Sequence, residues 1–220
     1  MEVRILNPNQ GNFLGKFREK GFLVDNFYLT GGAALSEFYL QHRTTDALDF
    51  FSEKDFSLLD IDVFLEEIKV SLGLTKIDSG QSFAQNFFFL QFKEGVLKVS
   101  FTYFPFPRIE KPVKQMGLEV DSLIDMMVNK LFSIYQRSNQ VDYVDFYLGL
   151  QKLGISVDEV ISKAKEKFSI WNFDLVQLGA QFMKVRDLDV PARMLKDLVD
   201  SEWRDFFVKE ASGFGKNIFS

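Results

Sequence analysis

Residues 27–51 read FYLTGGAALSEFYLQHRTTDALDFF, and this stretch decides the fold. A short apolar run of the β type leads into Gly31-Gly32, and the spacing of apolar side chains in 33–42 predicts a helix. A second β-type run, 48–51, carries Asp49. Two glycines between a strand and a helix let backbone N–H groups approach an anion, and the helix start adds partial positive charge. The stretch therefore predicts a phosphate-binding loop with a carboxylate nearby to hold a divalent cation.

The composition restricts the chemistry. The 220 residues include no cysteine and a single histidine, so thiolate and histidine-rich metal sites are excluded and Mg²⁺ or Mn²⁺ on oxygen ligands remains. A net charge of −5 argues against a broad nucleic-acid-binding surface. The 26 phenylalanines predict an aromatic core. The N-terminal residues MEVRILNPNQ lack a signal-peptide pattern and no apolar run reaches membrane-spanning length, so we expect a cytoplasmic protein without a membrane partner.

The periodicity of the chain changes from mixed to helical along its length. The patterns predict an α+β protein: a mixed sheet flanked by helices in residues 1–115, followed by a helical C-terminal lobe in residues 116–220. The predicted strands after residue 51 are 74–78, 83–92 and 96–104. The predicted helices are 60–72, 121–137, 142–153, 157–168, 174–183, 191–200 and 202–211.

Asp49 lies in an apolar strand that has no structural need of a carboxylate. A charge at such a position is paired or binds a cation, and cation binding is the interpretation we favour. The alternative is that Asp49 faces solvent or pairs with Arg43. For His42 and Arg43 we expect a role at the end of the predicted helix, where cations suit the dipole, with phosphate contact as the less favoured alternative.

Four charged residues further along the chain are spaced so that they share faces of two predicted helices. Lys130 and Arg137 are two turns apart on one predicted helix, and Asp142 and Asp145 are one turn apart on the next. Such a cluster ties two helices together by ion pairs or contacts a nucleotide, and the residues leave both interpretations open.

The order of these features resembles the nucleotidyltransferase domain of the AbiEii/AbiGii toxin family. The matching blocks are Gly-Gly, a helix, His-Arg and Leu-Asp-Phe-Phe, then Lys130, Arg137 and the segment 142–147 (DYVDFY), and they cover roughly 27–147. The resemblance implies the minimal nucleotidyltransferase fold, in which Gly31 and Gly32 grip a nucleoside triphosphate.

The resemblance also implies roles for single residues. Asp49 would bind Mg²⁺ or Mn²⁺ with help from Asp46, and Lys130 would steady the triphosphate as a third catalytic residue. Arg137 and Asp142 would contact the nucleotide. Lys98, on the predicted strand 96–104, is either a phosphate contact or a solvated lysine on an edge strand.

The chain departs from the family pattern at two positions. The family has two carboxylates two residues apart on the strand, where this chain has Ala47 and Asp49, and a third on a neighbouring strand, where it has Ser100. Asp46 reaches the site only if the strand begins at Ala47, because on a regular strand it faces away from Asp49. A serine hydroxyl brings no charge to a metal site.

Three functions are consistent with these residues. The first is an enzyme that transfers a nucleoside monophosphate to a hydroxyl of RNA or protein; the family resemblance implies the toxin of a toxin–antitoxin or phage-defence pair, with a cognate antitoxin as partner. The second, favoured by Ala47 and Ser100, is a relative that binds nucleotides without turnover. The third is a non-enzymatic interaction module.

Overall fold

The computed structural model describes residues 5–169 and 173–218, which form two compact units. The first unit comprises the described residues up to Pro107 together with Lys111–Asp121, and the second comprises Arg108–Glu110 and the described residues from Ser122 onward. The helices are α1 (Pro8–Arg18), α2 (Gly21–Asn26), α3 (Gly31–Leu35, continued by a π-helical segment, Ser36–Leu40), α4 (Leu58–Leu72), α5 (Leu123–Gln136), α6 (Gln140–Leu153), α7 (Val157–Lys167), α8 (Leu175–Met183, continued by a 3₁₀ turn, Lys184–Asp187) and α9 (Asp200–Ile218). The strands are β1 (Tyr28–Thr30), β2 (Ala47–Ser52), β3 (Lys76–Ser82), β4 (Gln85–Gln91), β5 (Val96–Tyr103), β6 (Val113–Gln115) and β7 (Leu118–Val120).

The first unit is built on a mixed sheet in the order β3-β4-β5-β2-β1-β7-β6. Strand β2 lies between β1, to which it is antiparallel, and β5, to which it is parallel. Strand β1 is parallel to β7, and the remaining neighbours are antiparallel. The α+β prediction is therefore confirmed, and the strand that carries Asp49 lies inside the sheet.

One face of this sheet carries an aromatic core, as the phenylalanine content predicts. The rings of Phe50 on β2 and Phe101 on β5 stack with centroids 5.3 Å apart, and Phe17 of α1 stacks on Phe50 at 4.3 Å. Phe64 of α4 meets Phe17 edge to face. Because side chains alternate along a strand, Asp49 and Ser100 face the opposite side of the sheet.

In the first unit one predicted boundary is wrong and one hairpin was missed. The helix predicted over 33–42 ends at Leu40, because Gln41 takes a left-handed φ of 51° and stops it. The hairpin of β6 and β7 was not predicted, because each strand has three residues and little hydrophobic alternation. Its turn at Met116-Gly117 uses two positive φ angles, 52° and 77°, as tight hairpin turns require.

The second unit is helical in its described residues. Its core is formed by large rings from α6, α8 and α9, among them the inaccessible Tyr143, Phe182 and Trp203. The helix predicted over 191–200 is wrong: residues 191–199 are irregular, with a turn at 192–193, and Arg193 has a left-handed φ of 63°. That helical spacing of apolar residues belongs to a loop. The part of the chain described here contains no helix with both the length and the apolar composition that crossing a bilayer requires.

Candidate functional site

The diglycine loop and Asp49 meet where strand β1 ends beside the middle of strand β2. Strand β1 pairs with β2 in a register that places Thr30 opposite Asp49. Gly31 follows with a φ of +71°, and a Cβ built on it would lie 2.5 Å from Oδ2 of Asp49. Only glycine suits both the backbone angle and the close carboxylate. The structure therefore brings together the predicted phosphate loop and the predicted metal ligand, Asp49.

The other oxygen of Asp49 is held by Ser100. Strand β5 runs beside β2 with Asp49 opposite Ser100, and the Ser100 hydroxyl donates a 2.6 Å hydrogen bond to Oδ1 of Asp49. This short bond to a charged oxygen fixes the carboxylate, with Oδ2 directed at Gly31. Ser100 occupies the position at which the family resemblance leads us to expect an acid.

Arg43 was assigned wrongly from the sequence. It lies beyond the end of the helix rather than in its last turn, and its side chain is only 6% exposed. A Cβ on Gly32 would collide with Nη2 of Arg43, so the guanidinium lies directly against the second glycine. His42 is also buried, with Nδ1 3.4 Å from the Ser36 hydroxyl. The His-Arg pair following a Gly-Gly helix was the signal available in the sequence.

Asp121 anchors the loop from the other side. The Thr30 hydroxyl donates to Oδ2 of Asp121 at 2.9 Å, and the Tyr39 hydroxyl donates to the Asp121 carbonyl at 2.8 Å. The cap of α5 is Ser122, whose side chain accepts from the Asp125 N–H. Asp121 thus connects the residue before Gly31 to the helical segment after it.

Asp46 satisfies the condition under which it was expected to help Asp49. Strand β2 begins at Ala47, so Asp46 precedes the regular strand; its side chain is exposed and its carbonyl accepts from the Lys98 N–H at 3.0 Å. Asp46 as a second metal ligand stays a prediction. Ala47 faces the same side as Asp49, opposite Lys98 in the register.

Lys98 is not on an edge strand, so that alternative is wrong. Strand β5 has β2 and β4 as its neighbours. The Lys98 side chain is half-buried, and its Nζ lies 5.4 Å from the centroid of the Phe87 ring. Its predicted contact with phosphate stays a prediction.

The donor atoms fit a single hard cation better than a pair of metal ions. Within residues 5–169 and 173–218, no three histidine or acidic side chains come together as a metal cluster. Mg²⁺ is commonly held by one or two carboxylates together with substrate phosphates. Asp49, beside a loop suited to phosphate, is compatible with that mode.

The charged residues predicted in the helical half form an ion-pair network within the second unit. Nζ of Lys130 lies 2.7 Å from Oδ1 of Asp142 and 2.7 Å from Oδ2 of Asp145, and Nη2 of Arg137 lies 3.3 Å from Oδ2 of Asp142. Both carboxylates are buried, whereas the Arg137 side chain is 65% exposed. The ion-pair interpretation is confirmed. The roles of Lys130, Arg137 and Asp142 towards nucleotide stay predictions.

A second buried pair in this unit was missed by the sequence analysis. Nζ of Lys167 lies 2.7 Å from Oδ1 of Asp125, and both side chains are inaccessible. Asp125 also accepts from the N–H groups of Ile109 and Glu110 and from the Ser122 hydroxyl. Burial by itself raises the pKa of Asp125. The Lys167 ammonium and these hydrogen-bond donors lower the pKa by more than burial raises it, so it lies below its ordinary value.

The fold places the chain among the nucleotidyltransferase-like α+β proteins. It superposes on JHP933 from Helicobacter pylori with a TM-score of 0.61 and 18% identity, over 96% of this chain and 91% of that one. A second H. pylori structure, described as a candidate nucleotidyltransferase, gives a TM-score of 0.59 and 17% identity, with 97% of each chain covered.

Sequence comparison defines the family. The sequence model of the family described as "Nucleotidyl transferase AbiEii toxin, Type IV TA system" matches residues 13–213. The chain therefore belongs to the AbiEii nucleotidyl transferase toxin family. The uncharacterized protein aq_aa25 of Aquifex aeolicus (strain VF5) is 28% identical over 178 residues, which are 79% of this chain and 81% of that protein. The family prediction is confirmed, and its match extends beyond 27–147 at both ends.

Proposed function

We propose that this protein transfers a nucleoside monophosphate from a nucleoside triphosphate to an acceptor hydroxyl in a Mg²⁺-dependent reaction. The observation that carries the proposal is the apposition of Oδ2 of Asp49 and the α-carbon of Gly31, which leaves no room for a side chain between them. A carboxylate beside an accessible backbone turn is the arrangement needed to hold a phosphate together with its counter-ion.

Each residue of the site has a defined task in this proposal. The backbone N–H groups of Gly31 and Gly32 bind the triphosphate, and the nearby Arg43 guanidinium contributes fixed positive charge. The Ser100 hydroxyl positions Asp49. Asp49, with help from Asp46, would hold the metal ion, which supplies neutralisation of phosphate charge when bound.

Family membership supports a proposal for the biological role. We infer that the chain acts as the toxin of a toxin–antitoxin or phage-defence pair, with a cognate antitoxin as its partner and an RNA or protein hydroxyl as acceptor. Ala47 and Ser100, where the resemblance leads us to expect acids, favour a second candidate: a relative that binds nucleotide without transferring it.

Nucleotide titration tests the binding step. Calorimetric titration with each of the four nucleoside triphosphates, with and without Mg²⁺, should show saturable binding that needs the metal. Asp49→Asn should weaken that binding about 10- to 100-fold, because a neutral amide is a poor ligand for Mg²⁺. Asp55→Asn, which changes an exposed carboxylate in the loop after β2, is the matched control and should bind as the wild type does.

Transfer is tested separately, with triphosphates labelled at the α-phosphorus incubated with bulk RNA or bulk protein. Label incorporated by the wild type and lost in Asp49→Asn supports the enzyme. Binding without incorporation supports the second candidate, and absence of binding contradicts both.

A further inference from the structure

The face of the sheet that carries Asp49 also carries two half-buried aromatic rings. Phe87 and Phe89 on β4 point to this face, because the alternate residues Phe88 and Leu90 are buried on the other. The two rings meet edge to face with centroids 5.7 Å apart. Single apolar side chains at a surface are ordinary, but two adjoining rings on the face opposite the aromatic core form a contiguous apolar patch, and such patches can mark binding surfaces.

The rings are fixed in place by their neighbours. A Cβ on Gly80 of β3 would collide with the Phe87 ring, so the ring lies across the backbone of β3, where glycine provides the space. Nζ of Lys98 lies 5.4 Å from the Phe87 centroid. Two rings and one cation thus form a small contiguous surface, which we call the stacking platform (Phe87, Phe89 and Lys98).

The register fixes where the stacking platform lies relative to the proposed transfer site. Asp49 is opposite Ser100, and Ser100 is opposite Phe87, so the three side chains occupy one row across β2, β5 and β4. Two strand spacings separate Asp49 from Phe87, about 10 Å. Gly31 lies on the other side of Asp49, next to β1.

The order of these residues across the sheet indicates where the acceptor binds, provided that the proposed function holds. In phosphoryl transfer the attacking and leaving oxygens are roughly in line. If the leaving pyrophosphate is held at Gly31-Gly32, the acceptor hydroxyl approaches Asp49 from the opposite side, over β5 and β4. The stacking platform is on that side.

We propose that Phe87, Phe89 and Lys98 bind the unpaired terminal nucleotides of a single-stranded nucleic-acid acceptor. Bases stack on the rings, as they do on the aromatic side chains of other sheets that bind single strands, and Lys98 neutralises a backbone phosphate. With a net charge of −5, the chain has no general attraction for nucleic acid, so recognition depends on this local surface. The acceptor hydroxyl then belongs to a nucleic-acid end rather than to a protein side chain.

Fluorescence anisotropy with short labelled oligonucleotides tests the proposal. The probes are a ten-nucleotide single-stranded RNA, the DNA of the same sequence and the corresponding RNA duplex. The full chain should bind at least one single strand at least fivefold more tightly than the duplex, because only unpaired bases expose their faces for stacking. Whichever single strand binds better identifies the chemistry of the acceptor.

Two variants and a control assign the binding to the stacking platform. The double variant Phe87→Leu with Phe89→Leu keeps apolar side chains but removes the ring faces, and should weaken single-strand binding about tenfold. Phe22→Leu is the matched control: Phe22 is 41% exposed on α2 and lines a groove with Leu59 and Val63 of α4, away from the platform, and the variant should bind within twofold of wild type. Lys98→Gln should reduce the slope of log affinity against log salt by about one, a readout independent of the double variant.

The result that overturns this inference differs from the one that overturns the proposed function. If the wild type binds triphosphate in an Asp49-dependent way but binds no single strand, or if the double variant and Phe22→Leu bind equally, the platform is not an acceptor site. Transfer of label to protein alone has the same meaning. If the wild type binds no triphosphate, the proposed function fails, whatever the oligonucleotides show.

Discussion

A side chain at position 31 would be unfavourable for two separate physical reasons. Its φ of +71° is costly for any residue with a side chain, and its α-carbon faces Oδ2 of Asp49. Gly73, at the end of α4, has nearly the same angle, +67°, but open space around it. Comparing the same substitution at the two positions therefore distinguishes the cost of backbone strain from the cost of displacing the carboxylate.

We expect Gly73→Ala to lower the free energy of unfolding by about 1–2 kcal/mol, the cost of the left-handed angle. Gly31→Ala should cost about 1–3 kcal/mol more, because the methyl group displaces Asp49, and it should abolish nucleotide binding. Urea denaturation and calorimetric titration of both variants measure these effects. Equal losses of stability in the two variants would show that Asp49 gives way without strain.

Ala47 offers a test of a weakened metal site. Its side chain faces the same way as Asp49, and Lys98 lies opposite it on β5. Ala47→Asp places a second carboxylate on that face and should raise label transfer by an order of magnitude or more, because the site then resembles the paired-carboxylate pattern of the family. Ala47→Asn adds nearly the same volume without charge and should leave transfer at the wild-type level. Equal rates in the two variants would contradict a role for charge.

Helices α5 and α6 are joined by ion pairs whose two cations, Lys130 and Arg137, differ greatly in exposure. Lys130 lies between Asp142 and Asp145, whose side chains are 4% and 0% exposed, whereas Arg137 contacts Asp142 from the surface. Removing a buried cation leaves carboxylates that neither water nor protein solvates well. Removing a surface cation lowers the free energy of unfolding only slightly.

Lys130→Met should therefore lower the free energy of unfolding by about 3–5 kcal/mol, and Arg137→Met by less than about 1 kcal/mol. Chemical denaturation of the two variants side by side measures the difference. Similar losses would mean that the two carboxylates are solvated well enough without Lys130, and would contradict a stabilising role for the buried ion pair.

The buried pair of Asp125 and Lys167 predicts a pH dependence of known sign. The folded protein lowers the pKa of Asp125, so the charged carboxylate stabilises the fold above the ordinary carboxyl range and the stabilisation is lost as the pH falls through the lowered value. The double variant Asp125→Asn with Lys167→Met should lose less unfolding free energy between about pH 5 and pH 2 than the wild type does. Asp62→Asn, an exposed change on α4, should keep the wild-type acid slope. An unchanged slope in the double variant would assign acid sensitivity to other carboxylates.

For the whole molecule, ligand binding and stability are linked. A ligand that binds only the folded chain stabilises it by about 2.7 kcal/mol at a concentration 100 times its Kd. A triphosphate with Mg²⁺ at that concentration should therefore raise the Tm of the wild type by a few degrees, and the shift should be about half as large or smaller in Asp49→Asn, whose Kd is expected to be about 10- to 100-fold weaker. Differential scanning fluorimetry with and without EDTA measures it. An equal shift in both proteins would place the bound nucleotide away from Asp49.

Much of the fold could be predicted because its signals are local. The glycine pair, the alternation around Leu48 and Phe50 and the helical spacing in α4 each fit within a few consecutive residues, and these elements are where the patterns predict them. The missed elements have weak local signals. The hairpin of β6 and β7 is short, and residues 191–199 show a helical spacing that the left-handed angle at Arg193 interrupts.

Membership of the AbiEii family, the α+β class and the apposition of diglycine loop and Asp49 were determined by the sequence, because each depends on residue types and spacing along the chain. Only the tertiary structure decided that Ser100 holds Asp49, that Arg43 lies against Gly32 and that Phe87 lies in the row of Asp49. The positions of Ser100 and Phe87 depend on strand pairing between segments far apart in sequence, whereas the contact of Arg43 depends on the path of the loop between α3 and β2. A register shift of one residue in β5 or in β4 would turn Ser100 or Phe87 to the other face of the sheet.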